Sequence, residues 1–230
     1  LLARSERESA WRQMARQVAH EIKNPLTPIK LSMQLLMRAW NDKAPDWDVR
    51  LKRFSQTLIM QIDTLSSIAT EFSDFAQMPE PQIQQFDVVP LVQQSTELFR
   101  DQSDSNISFE TEVSECFIQA DPNQVLRVFN NLIKNAIQAI PDERQGIIKI
   151  KLGIVDRACQ ISFHDNGTGI PSDRQTRIFS PNFTTKTAGM GLGLAMVKNI
   201  IDNSGGRIWF ETIPGEGTVF FVVLPLGGNE

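Results

Sequence analysis

An α+β protein is predicted, with an antiparallel helical hairpin over residues 1–79 that pairs into a dimeric four-helix bundle, followed by a strand-and-helix domain over 80–230. Three observations predict it. Two long stretches carry apolar residues at steps of three and four, the sequence Met78-Pro79-Glu80-Pro81 ends the second, and short strand-like runs alternating with helices replace the long helical period beyond it.

The first stretch, 9–40, places Trp11, Met14, Val18, Ile22, Leu26, Ile29, Met33, Leu36 and Trp40 on one stripe. A polar break, Asn41-Asp42-Lys43-Ala44-Pro45, follows, and Leu51, Phe54, Leu58, Ile62, Leu65, Ala69, Phe72 and Phe75 then repeat the spacing. A single hairpin cannot close a core around two such stripes, so a homodimer is expected. After the break the pattern predicts strands at 85–89, 107–113, 117–120, 147–155, 158–164, 207–212 and 218–224. Helices are predicted at 90–100, 122–140 and 192–203. Residues 165–191 read as a long Gly-, Thr- and Pro-rich loop, of the kind that serves as a lid or binding loop.

Composition limits the classes open to the chain. With 23 Lys and Arg against 27 Asp and Glu, a net charge of -4, the protein lacks the positive field that would hold nucleic acid or an anionic membrane. Cys116 and Cys159 lie in different segments without CxxC spacing, which argues against a disulfide framework and for a reducing cytosol. No apolar run approaches the roughly 20 residues of a membrane helix. The chain starts Leu1-Leu2-Ala3 without Met, so it is expected to be a cytoplasmic piece of something longer, with any attachment to an inner membrane made only through a segment absent here.

Four boxes carry the candidate chemistry. In His20-Glu21-Ile22-Lys23-Asn24-Pro25, His20 is rotated about 160° from Val18 and faces away from the stripe. Asn24 shares its face one turn on, Glu21 can accept a ring proton, and Pro25 and Pro28 predict a bend just after the histidine. In Asn130-Asn131-Leu132-Ile133-Lys134-Asn135, the amides of Asn131 and Asn135 are i,i+4 neighbours whose oxygens suit Mg²⁺. Asp165-Asn166-Gly167-Thr168-Gly169 puts a carboxylate at a strand end beside glycines that let a flat base approach the backbone. Gly189-Met190-Gly191-Leu192-Gly193 opens a helix whose free amides would hold a phosphate, and Phe179, Phe183 and Lys186 precede it in the loop. Each box alone also admits an ordinary explanation: a solvated histidine, solvated asparagines, a plain turn, a loose loop. His164, the other histidine, reads as structural.

The order of these boxes resembles the sensor histidine kinases of two-component signalling, and the stretches HEIKNPLTPIKLS and EFSDFAQMP are similar to the NtrY-type nitrogen-regulation sensors. The resemblance implies a phosphoacceptor hairpin, then an α/β sandwich that binds ATP as gyrase, Hsp90 and MutL do. It implies His20 as phosphoacceptor, Glu21 as its base, and Asn24 as the group orienting water in a phosphatase reaction. It also implies Asn135 holding Mg²⁺, Asn131 and Lys186 on the nucleotide phosphates, Asp165 on the adenine, and Gly167, Gly169, Gly189, Gly191 and Gly193 shaping the pocket. A response regulator receiver domain would take the phosphoryl group. Gln138 and Ser180 depart from the family pattern, which commonly has a basic and an acidic residue there. The alternatives are an ATPase of the Hsp90 or MutL class and an inactive receiver-binding scaffold.

Overall fold

The computed structural model describes residues 2–76, 81–180 and 191–227, and they form two compact units, one helical and one built on a sheet. In the helical unit, α1 (Leu2–Asn41) and α2 (Trp47–Ala76) are the predicted hairpin. α1 begins earlier than its apolar stripe because residues 2–8 are mostly good helix formers, Leu, Ala, Arg and Glu. It also runs on through Pro25 and Pro28 without ending. Each proline removes one rung of the backbone ladder, and between them the Thr27 hydroxyl donates to the Lys23 carbonyl at 3.1 Å. Lys43, at φ 51°, reverses the chain, and the rings of Trp40 and Trp47 meet across the turn at 4.9 Å.

Within one hairpin the stripes are only partly covered. Leu36, Ala39 and Ile68 are buried, while Ile22, Leu26, Met33, Trp40, Leu51 and Ile62 stay more than a third exposed. The side chains of Trp11, Met14, Phe72 and Phe75, and the break at residues 78–80, lie outside the described residues. No helix among the described residues is long and apolar enough to cross a membrane.

The second unit starts with β1 (Gln84–Asp87), α3 (Val89–Arg100), β2 (Asn106–Thr111), β3 (Phe117–Ala120) and α4 (Pro122–Ala139). β4 (Ile147–Val155), β5 (Ala158–Asp165), α5 (Ser172–Gln175), α6 (Gly193–Asn203), β6 (Arg207–Ile213) and β7 (Gly217–Pro225) complete it. Five strands form one sheet in the order β2-β4-β5-β7-β6, with β2 parallel to β4 and the other pairs antiparallel. β1 and β3 form a separate antiparallel pair.

Alternation along the strands decides which face is covered. Ile148, Ile150 and Leu152 of β4, Ile161 and Phe163 of β5, and Val222 and Leu224 of β7 are buried, while Lys149, Lys151 and His164 between them are not. α3, α4 and α6 close the buried face; α4 does so through Val125, Val128, Phe129, Leu132 and Ile133, and Phe129 meets Phe163 at 5.8 Å. The result is the two-layered α/β sandwich. Asp121 fixes where α4 starts, its Oδ1 accepting from the Asn123 and Gln124 amides at 2.9 and 3.3 Å with Pro122 in the first turn. Cys116 and Cys159, separate in sequence, are both buried free thiols.

Candidate functional site

The hairpin presents His20 on the exposed face of α1, away from its buried residues, as the helical rotation from Val18 predicts. Asn24 is exposed one turn further on, Glu21 is half-buried, and Pro25 is buried behind them. An imidazole, a carboxylate and an amide thus lie along five residues of one helix.

In the sheet-bearing unit the first turn of α6 meets the asparagine box midway along α4, and the turn after Asp165 meets the last turn of the same helix. Asn131 lies on its half-buried side, and its Nδ2 donates to the Arg127 carbonyl at 3.0 Å. The amide nitrogen being occupied, Oδ1 is turned towards the start of α6. A Cβ on Gly193 would sit 2.7 Å from that oxygen, so a larger residue at the start of α6 would push the Asn131 amide aside. Free amides at the start of an 11-residue helix, next to an amide oxygen, suit an anionic phosphate accompanied by a hard cation. Asn135 follows one turn along α4, half-buried and in contact with neighbouring groups.

Asp165 ends β5 and turns inward. Its Oδ1 accepts from the Gly167 amide at 2.9 Å and from the Thr218 amide at 3.2 Å, while Oδ2 carries no hydrogen bond among the described residues. Burial raises its pKa above the ordinary aspartate value, and those two amides offset part of the rise. The turn that follows is clamped to α4: the Thr168 amide donates to the Ala139 carbonyl at 2.9 Å, and a Cβ on Gly167 would lie 2.6 Å from that same carbonyl oxygen. Gly169 has φ 67° and Gly191 φ 63°, both in the left-handed region that glycine adopts without strain.

The long loop holds more order than its composition predicts. Ser172–Gln175 forms a short helix, and Phe179 packs edge-on against Phe210 and Phe220 at 6.0 and 6.4 Å, anchoring the loop to β6 and β7. Phe183, Lys186 and Gly189 lie outside the described residues. The second donor to Asp165, Thr218, escaped sequence reasoning because it comes from β7, 53 residues away. His164 is structural, as predicted: its Nε2 pairs with the Ser162 hydroxyl at 2.9 Å and its ring lies edge-on to Phe221.

Two family models match the chain. Residues 10–81 match the His Kinase A phospho-acceptor domain, and residues 120–228 match the histidine kinase-, DNA gyrase B- and HSP90-like ATPase. The chain belongs to the sensor histidine kinase family. Among sensor histidine kinases it is 36% identical, over 98% of its length, to the nitrogen regulation protein NtrY of Azorhizobium caulinodans, of which it spans 30%. The catalytic domain of histidine kinase ThkA superposes with TM-score 0.57 at 34% identity, covering 63% of this chain and 95% of that one. ThkA in complex with the response regulator protein TrrA gives TM-score 0.69 at 28% identity, over 96% of this chain and 64% of that one. The first interval covers the helical hairpin with the histidine box, and the second covers α4 onwards with the asparagine and glycine boxes.

Proposed function

We propose that the chain is the catalytic portion of a two-component sensor, divided at 79/80, which autophosphorylates His20 from ATP and passes the phosphoryl group to an aspartate of a response regulator receiver domain. The observation that carries this is the approach of Gly193 to Asn131, which brings helix amides and an amide oxygen together on the same helix whose last turn holds the turn after Asp165. The residues present fit ATP with Mg²⁺. Asp165 would take the exocyclic amino group of adenine through Oδ2, the α6 amides and Asn131 the phosphates, and Asn135 the metal, whose charge neutralises the phosphate oxygens during transfer. Gly167, Gly169, Gly191 and Gly193 would shape the pocket; Gly189 and Lys186, to which the resemblance gives the pocket and the phosphates, lie outside the described residues.

The protein's share of phosphoryl transfer is positioning and charge stabilisation, so an exposed imidazole on one module and a nucleotide on the other suffice once they meet in line. Glu21 draws a proton from one ring nitrogen of His20 so that the other attacks the γ-phosphorus. Incubation with γ-labelled ATP tests the whole reading: label that is lost in acid and kept in alkali is expected, and an acid-stable ester would overturn it. An Hsp90- or MutL-class ATPase would have no use for the exposed His20.

The same helix face supports receiver dephosphorylation, with Asn24 holding a water in line. Asn24→Ala should keep autophosphorylation and lose dephosphorylation, and Glu21→Ala should do the reverse. Label gained by this chain and label lost from a phosphorylated receiver with ADP present are the paired measurements. Equal depression of both rates in both variants would refute the division of labour.

The hairpin pairs with a second copy. Its exposed Ile22, Leu26, Met33, Trp40, Leu51 and Ile62 form more apolar surface than soluble monomers usually leave uncovered. Sedimentation equilibrium should return twice the 26.0 kDa chain mass at micromolar concentration, and a folded monomer there would contradict the bundle.

A further inference from the structure

We propose that Arg144, in the connection between α4 and β4, is a positioning residue that sets the base selectivity of the nucleotide site by holding Asp165 in place. Its guanidinium bridges two turns that are far apart in sequence. Nη1 donates to the Asn166 carbonyl and, at 2.9 Å, to the Gly167 carbonyl, while Nη2 donates to the Gly215 carbonyl at 3.2 Å. Asn166 and Gly167 belong to the turn after β5, and Gly215 to the turn between β6 and β7.

Asp165 depends on the same two turns. One of its Oδ1 hydrogen bonds comes from Gly167, in the first turn, and the other from Thr218, just after the second. Thr218 is paired with Asp165 across the β5–β7 ladder, so what the sheet leaves open is the Gly167 amide, whose position depends on the distance between the two turns. A planar fork with donors on two nitrogens holds that distance, which a lysine, with one compact ammonium on a flexible stem, does not. Asn166 accepts from the Ile147 amide and donates to the Gln145 carbonyl, and the Gly215 amide donates to the Thr168 carbonyl at 2.7 Å, so Arg144 reinforces a gap that one backbone hydrogen bond already spans. Arg144 is exposed and its guanidinium is engaged by these backbone carbonyls, so it acts on the base through Asp165.

This inference rests on the reading of Asp165 as acceptor for the adenine amino group, and the experiment separates the two. Dissociation constants for ATP and inosine triphosphate, which has a carbonyl in place of that amino group, are measured on the full chain and its variants. Asp165→Asn should invert the preference towards inosine, because Oδ1 remains occupied by the two amides and the new Nδ2 donates. Arg144→Ala should weaken ATP binding roughly tenfold, the scale of a charge-assisted hydrogen bond, and leave inosine triphosphate binding and the labelling rate at saturating ATP unchanged. Arg144→Lys should fall between. If Asp165→Asn shifts the preference but Arg144→Ala weakens both nucleotides equally, or neither, Arg144 is merely structural and the proposal fails. If Asp165→Asn leaves the preference unchanged, the base reading fails and the proposal falls with it.

Discussion

His20→Gln is expected to reduce acid-labile self-labelling to background while ATP binding stays within a factor of about two of the parent. The imidazole is exposed on α1, so the amide replaces it without opening a cavity or leaving a buried polar atom unpaired. The residues on β5, α4 and α6 that we propose hold the nucleotide lie in the other unit and have no structural reason to respond. Described histidines number two, and His164 is held by Ser162 and by the edge of Phe221, so it cannot replace His20 as acceptor. Labelling with γ-labelled ATP, alongside a binding titration on the same protein, checks both halves; persistent acid-labile label would move the acceptor elsewhere.

Gly193→Ala should produce the opposite pattern, a folded hairpin that still exposes His20 but a nucleotide site that no longer closes. The added Cβ falls 2.7 Å from Asn131 Oδ1, and Asn131 can yield only by breaking its hydrogen bond to the Arg127 carbonyl and swinging its oxygen off the phosphate position. Misplacement on the scale of an ångström at a phosphoryl-transfer site costs on the order of a hundredfold in rate. Labelling at subsaturating ATP should therefore drop by about that factor. Far-ultraviolet circular dichroism should not change, because the conflict is relieved by one side chain. Parent-like labelling by this variant would remove the asparagine face from the site.

Local residue patterns revealed most of this architecture. β3 and β4 fall on the predicted residues, since their alternation reports a half-buried face directly, and α4 was marked at its start by Asp121-Pro122 and along its length by its apolar stripe. His20, Asn24 and Asn131 were legible because helical geometry turns spacing into orientation. The four residues of α5 are too few to show a period, so that helix was hidden in the loop. The two prolines after His20 do not end α1, which runs on past both of them. Long-range contacts left no local signal: Thr218 and Arg144 reach Asp165 and its turn only after β7 and the α4–β4 connection have folded against β5.

The two cysteines place a chemical clock inside the sheet-bearing unit. Cys116 and Cys159 are 2% and 0% exposed, and burial, the largest influence on both, pushes each thiol above its ordinary pKa, so reactive thiolate is scarce in the folded state. A soluble alkylating reagent reaches them only when the sandwich opens. Alkylation therefore counts openings of this unit and is blind to the hairpin, whose described residues contain no cysteine. The chain thus carries its own internal measure of whether a variant has lost its chemistry or its fold.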